Sequence, residues 1–359
     1  MSELPQNASH TVKRLIELNR GHSQQFINSQ RSRQIYREKH PTEIGVLKCM
    51  DGRVHFPVIT NTPLGIAQPW RTIGGKFDMG WPHFKETIEE WADYGVSRSR
   101  NSVVFATYHF ARGFHGENPE AVLHRCCAGF KYDTEAAKKS SLELKEQFQR
   151  VFLNDGLYAI QCGIETDLEA LVLHGENGEI WDLGEAELIS EEEILQKLSL
   201  MFSNIPKDVL KDIVPMVEGN IEHVLMVKKS PKPAIDLEHR EQVIAVGRGF
   251  DWLHTPNFAL IIGPYSDEWK SAVATATAVV NGNLENKRIN PDEGLVLLVS
   301  TPYRSEGYKR RLAVEKALYL TRESKRVITE TAPELLPHLQ IITGVCDMNT
   351  REMHVINHG

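Results

Sequence analysis

The segment Ser102-Val103-Val104-Phe105-Ala106-Thr107-Tyr108 has almost no face that water could wet, and it stops at His109. A short run this rich in β-branched and aromatic residues predicts a strand buried on both sides. A mostly parallel sheet with helices on each face provides that environment. The flanking segments agree. Gly45–Cys49 reads as a short buried strand, and 83–94 as an amphipathic helix after Pro82. A helix is expected over 134–154, with strands at Leu157–Glu165 and Ala170–His174. Strand, helix, strand, helix, strand is the rhythm of an α/β fold.

Outside that block, 11–39 predicts one helix with a sparse stripe through Val12, Leu15, Ile16, Phe26 and Ile35, stopped by Pro41. Helices are also expected at 191–202 and 207–213. The run Lys228-Lys229-Ser230-Pro231-Lys232-Pro233 reads as a linker. At about 150 residues per domain, the 359 residues suggest about two domains. The expected divisions are an N-terminal helical arm, 1–40, a first α/β domain, 41–230, and a second, 231–359.

The second half repeats the rhythm of the first. Phe258–Gly263 resembles the strand at 45–49 and also runs into a polar turn with an acid, Ser266-Asp267. Leu295–Ser300 matches 103–108. Gly163 to His174 aligns without gaps to Gly344 to Val355, each block following an apolar strand. These matches predict a duplicated α/β unit. In this alignment Gly263 stands where the first copy has Cys49, and Pro302 near the place of His109. A metal site in the first copy would therefore be lost from the second.

Composition narrows the function. With 41 basic and 48 acidic residues, net −7, the chain does not read as a nucleic-acid or acidic-membrane binder. It is 41% hydrophobic and 25% charged, which is globular composition. No stretch nears about 18 consecutive apolar residues, so no membrane span is expected. The first 15 residues lack the apolar centre of a signal peptide. Neither G-x-G-x-x-G nor a P-loop is present. Cys49, Cys126, Cys127, Cys162 and Cys346 are too sparse for a disulfide framework. They read as free buried thiols, some of them as metal ligands.

Three features carry chemistry. Cys49-Met50-Asp51-Gly52-Arg53 ends a strand, and open α/β sheets bind ligands beyond the carboxyl ends of their strands. A thiolate there can hold zinc, Asp51 can orient a zinc-activated water, and Arg53 can clamp Asp51 as a carboxylate. His109 ends a second buried strand. Cys126-Cys127 lies in the loop before a helix. Cys49, His109 and one of the pair would make a Cys₂His set with an open fourth position, a catalytic zinc arrangement. His115 is a rival to His109. His115, His124 or the spare cysteine could instead close a structural site.

Cys-x-Asp-x-Arg after a strand resembles the β-class carbonic anhydrases, and the details look most like the carboxysome shell carbonic anhydrase branch. Further similarities are Gly74-Gly75-Lys76-Phe77-Asp78, Tyr108-His109, Cys127-Ala128 through Asp133 to Ala136-Ala137, and Gly163 through Thr166-Asp167. The resemblance implies a duplicated β-carbonic-anhydrase-like unit, with a mostly parallel sheet flanked by helices and a second copy without metal ligands. It implies Zn2+ held by Cys49, His109 and Cys127, with Asp51 and Arg53 as the catalytic dyad. The implied reaction is reversible hydration of carbon dioxide to bicarbonate. The same site could act on carbon disulfide or carbonyl sulfide, or the chain could be a non-catalytic zinc-binding homologue. His55, His83, His115 and His124 are candidate proton relays.

The implied assembly is a homodimer or higher homo-oligomer, without nucleic acid or membrane. A carboxysome shell or Rubisco would be partners in the carboxysomal branch. Cys49 comes so early that the long N-terminal region expected to make such attachments is missing, so a free cytoplasmic enzyme is expected at least as much as a carboxysomal one.

Overall fold

The computed structural model describes residues 8–112, 127–152, 155–230 and 239–358. It divides into two compact units, 31–238 and 239–359 together with 1–30.

In the first unit α2 (Gln30–Lys39) leads into β1 (Glu43–Cys49). Then come α3 (Phe56–Ile59), β2 (Ala67–Thr72), α4 (Pro82–Val96), β3 (Ser102–Phe110), α5 (Thr134–Val151), β4 (Leu157–Glu165), β5 (Ala170–His174), β6 (Ile180–Asp182), α6 (Glu191–Met201) and α7 (Lys207–Lys229). The sheet order is β2-β1-β3-β4-β5-β6. The first four strands are parallel and the last two antiparallel.

Every residue of β1 is buried, as is all of β3 except Phe110, which accounts for their unbroken apolar runs. One face of the sheet, through Val46, Val103, Phe105 and Ile160, packs on Phe56 and Ile59 of α3 and Ile213 and Val217 of α7. On the other face Trp70 meets Trp91 of α4 edge-on at 5.4 Å. Gly45 makes this contact feasible, because a Cβ there would sit 2.8 Å from the Trp70 ring.

The second unit holds α1 (His10–Asn28), β7 (Val243–Gly247), β8 (Ala259–Ile262), α8 (Trp269–Glu285), β9 (Leu295–Tyr303), α9 (Tyr308–Thr331), β10 (Leu339–Asp347) and β11 (Met353–His358). Its sheet order is β8-β7-β9-β10-β11, with β11 antiparallel and the others parallel. That is the order β2-β1-β3-β4-β5 of the first sheet.

Several expectations change. The helix expected over 11–39 is two helices, broken at Ser29, whose backbone N–H donates to Gln25 and Ile27. α1 belongs to the second unit, where Asn19 bonds both the Arg351 carbonyl and the Met353 N–H. The helix expected over 207–213 runs to Lys229 and absorbs Pro215, so Lys228 and Lys229 are helical rather than linker. The residues 231–233 of that linker lie outside the described residues.

The counterpart of β1 in the second sheet is also corrected. It is β7, not Phe258–Gly263, because β7 holds the place between β8 and β9 that β1 holds between β2 and β3. No cysteine stands at the end of β7, which closes on Gly247 paired with Ser300 of β9, and Pro302 lies two residues further along β9.

Candidate metal centre

Beyond the carboxyl ends of β1 and β3 the first unit collects its reactive side chains. Cys49 is the last residue of β1, and His109 the next-to-last of β3. Cys127 caps a short 3₁₀ turn, Ala128–Phe130, just before α5. Its carbonyl accepts the N–H of Phe130 (3.0 Å) and Tyr132 (3.2 Å). One donor atom from each of Cys49, His109 and Cys127 lies within 4.8 Å of the others. All three residues are buried, both cysteines are free thiols, and their sulfurs are 3.3 Å apart. Two soft thiolates and an imidazole in one shielded cluster fit a zinc-like ion, with three protein ligands and a fourth position left over. The structure thus brings together a group of donors that could hold a metal ion.

The chain segments that carry these donors lock together through glycine. Gly74 (φ +64°) and Gly75 (φ +68°) follow β2 in left-handed backbone. A Cβ on Gly74 would sit 2.8 Å from the Phe130 ring, and one on Gly129 would sit 2.8 Å from the Gly74 nitrogen. Only bare backbone lets the Gly74 turn press on the Cys127 turn.

Asp51 lies beside the cluster, its Oδ2 3.8 Å from His109 Nε2. Arg53 clamps it. Arg53 Nε and backbone N donate to Oδ1 (3.0 and 2.8 Å), and Arg53 NH2 donates to Oδ2 (2.7 Å). Both side chains are buried, so this forked pair is far stronger than a surface ion pair and holds Asp51 as a carboxylate. Below the loop, fully buried Lys48 donates to the Val54 carbonyl. Burial first, then the neighbouring Arg71, pull the Lys48 ammonium well below its usual pKa.

The charge pattern among the donors is uneven. Burial pushes the Cys49 thiol up, but the hydrogen bond with Cys127 and the charge of His109 outweigh it, so Cys49 lies well below the ordinary thiol value. Cys127 lies well above, because its hydrogen bond to Cys49 and then its burial favour the protonated thiol. Burial lowers His109, yet the Cys49 thiolate and Asp51 raise it overall. Cys162 and Cys346 differ: burial is the main cause that drives each up to about 12, as expected of inert core thiols.

All five residues singled out from the sequence, Cys49, Asp51, Arg53, His109 and Cys127, come together here. Cys126, His115 and His124 lie outside the described residues. Of the other candidate relays, His55 is buried with Nε2 2.8 Å from the Gly52 carbonyl, inside the dyad loop rather than at a mouth. His83 lies half-buried near the start of α4. Sequence reading missed Thr72 and Gly129. Nothing in the local pattern marks β2, with Pro69 inside it, as the neighbour of β1.

Among the described residues no helix is long and apolar enough to cross a membrane. No known family model matches the chain, and no curated protein matches it either.

Proposed function

We propose that Cys49, His109 and Cys127 hold one zinc ion and that the protein is a carbonic anhydrase of the β-class type. One observation carries the reading: the three buried donors within 4.8 Å, with the Arg53-clamped Asp51 carboxylate alongside. Zinc would supply Lewis-acid activation of a water at pH near 7.

The rest falls to the chain's own residues. Asp51 is held ionised and aimed, so it accepts a hydrogen bond from the attacking water and fixes where that water's lone pair points. Arg53 keeps Asp51 from turning onto the cationic centre. Burial of all three ligands excludes bulk water and strengthens each electrostatic contact. The shared strand order of the two sheets, with no cysteine at the end of β7 where the first sheet has Cys49 at the end of β1, supports a duplication whose second copy lost its ligands. The reading takes the enzyme as homo-oligomeric, as the resemblance implies.

Replacement of Asp51 by Ala tests this. The variant should keep its zinc and lose carbon dioxide hydration by about 100-fold or more, the usual scale for a group that handles a proton in the transition state. Wild-type turnover in Asp51→Ala would remove the dyad from the mechanism. Zinc without hydration in the wild type would favour carbon disulfide or carbonyl sulfide as substrate, or a structural ion.

A further inference from the structure

The strand beside β1 ends in a residue with no assigned task. Thr72 closes β2 and is the register partner of Cys49 across the parallel ladder. Register partners in a parallel pair point to the same face, on strands about 4.8 Å apart. The Thr72 hydroxyl therefore stands one strand over from the Cys49 sulfur. Its backbone is fixed, since the Thr72 carbonyl accepts the Met50 N–H at 2.9 Å. The side chain is completely buried, and Oγ1 has no hydrogen-bond partner. Among the described residues no other buried threonine hydroxyl is left this way: Thr107, for example, donates to the Leu47 carbonyl at 2.8 Å. A buried hydroxyl without a partner is costly, and a valine would fill the same volume without that cost.

We propose that Thr72 is a substrate-binding residue, whose hydroxyl donates a hydrogen bond to an oxygen of the small trigonal oxyanion, bicarbonate, formed beside Cys49. The donor completes its bonding only when that oxygen is present. It moves no proton and forms no covalent bond; it orients the bound oxygen opposite the group held by Asp51. The inference rests on the carbonic anhydrase reading for the identity of the oxyanion.

The test compares wild type with Thr72→Val, which keeps the shape and removes the donor, and Thr72→Ser, which keeps the donor. All are full-length and zinc-loaded. Thr72→Ala covers the case in which Val does not fold. Bicarbonate binding is measured by calorimetry, alongside kcat and KM for hydration and for dehydration. Loss of one hydrogen bond to an anion predicts a bicarbonate affinity weaker by about tenfold or more in Thr72→Val, with a matching rise in the dehydration KM. Thr72→Ser should recover to within about twofold, with zinc content and unfolding temperature unchanged in both. Unchanged bicarbonate affinity in Thr72→Val overturns the proposal, and so does a loss that tracks zinc content and is not rescued by Ser. A wild type that binds bicarbonate through Thr72 but does not hydrate carbon dioxide would sink the enzymatic reading and leave this site standing. An active wild type indifferent to Thr72→Val would do the reverse.

Discussion

Asp51 has its two oxygens occupied by three donors from Arg53, and that arrangement was legible in the sequence because Cys-x-Asp-x-Arg is local. Thr72 was not legible, because its meaning comes from a neighbour 23 positions away, set by the ladder. At this scale removal of a ligand should act on the metal first: Cys49→Ser should lose zinc when dialysed against a chelator that leaves the wild type loaded. A variant with full zinc content would displace Cys49 from the centre.

Glu165, the ladder partner of Phe110, offers a pH test of the fold's stability. It is fully buried at the end of β4, accepts the N–H of Asp167 (2.9 Å) and Leu168 (2.8 Å), and is raised from 4.5 to about 7 by burial and then by Asp167. The folded state therefore holds this proton more tightly than the unfolded state. The stability it supports is complete below about pH 4.5 and is lost as the pH rises through about 7. Wild-type stability relative to Glu165→Gln should fall between pH 5 and 8, by up to about 3 kcal/mol. Denaturant melts at both pH values would show it, and a constant difference would contradict it.

At the scale of elements, β3, β4, β5 and the start of α5 were readable because each carries an unbroken period of its own. β7 and β2 were not. β7 is five residues of which the last is Gly247, and β2 contains Pro69, a residue that fits its edge position in the sheet. Without β7 the sequence of the second half places the start of its sheet at Phe258. The single helix expected over 11–39 failed because a periodic stripe says nothing about where its two halves pack. The closeness of the Gly74 and Cys127 turns is likewise invisible in sequence. It predicts that Gly129→Ala, whose new Cβ would meet the Gly74 nitrogen at 2.8 Å, pushes Cys127 off its place. Zinc affinity should drop by about 10- to 100-fold, the range seen when support around ligands is disturbed. Competition with a chromophoric chelator measures this, and an unchanged affinity would mean the two turns move independently.

Over the whole molecule, two sheets share one strand order, and only the first assembles soft donors at its strand ends. Within the unit of residues 1–30 and 239–359, no group of three or more His, Cys, Asp or Glu donors converges among the described residues. Past the end of β7 comes Arg248. The next residue, Gly249, lies so close to Cys346 that a Cβ would fall 3.1 Å from its sulfur. Cys346→Ser should accordingly leave zinc content unchanged. We propose one zinc centre per chain that hydrates carbon dioxide. The direct measurement is zinc stoichiometry together with stopped-flow carbon dioxide hydration on the same reduced, purified sample. One zinc per chain with hydration that disappears on chelation is the predicted result. One zinc per chain with no hydration from pH 7 to 9, or no zinc at all, would contradict it.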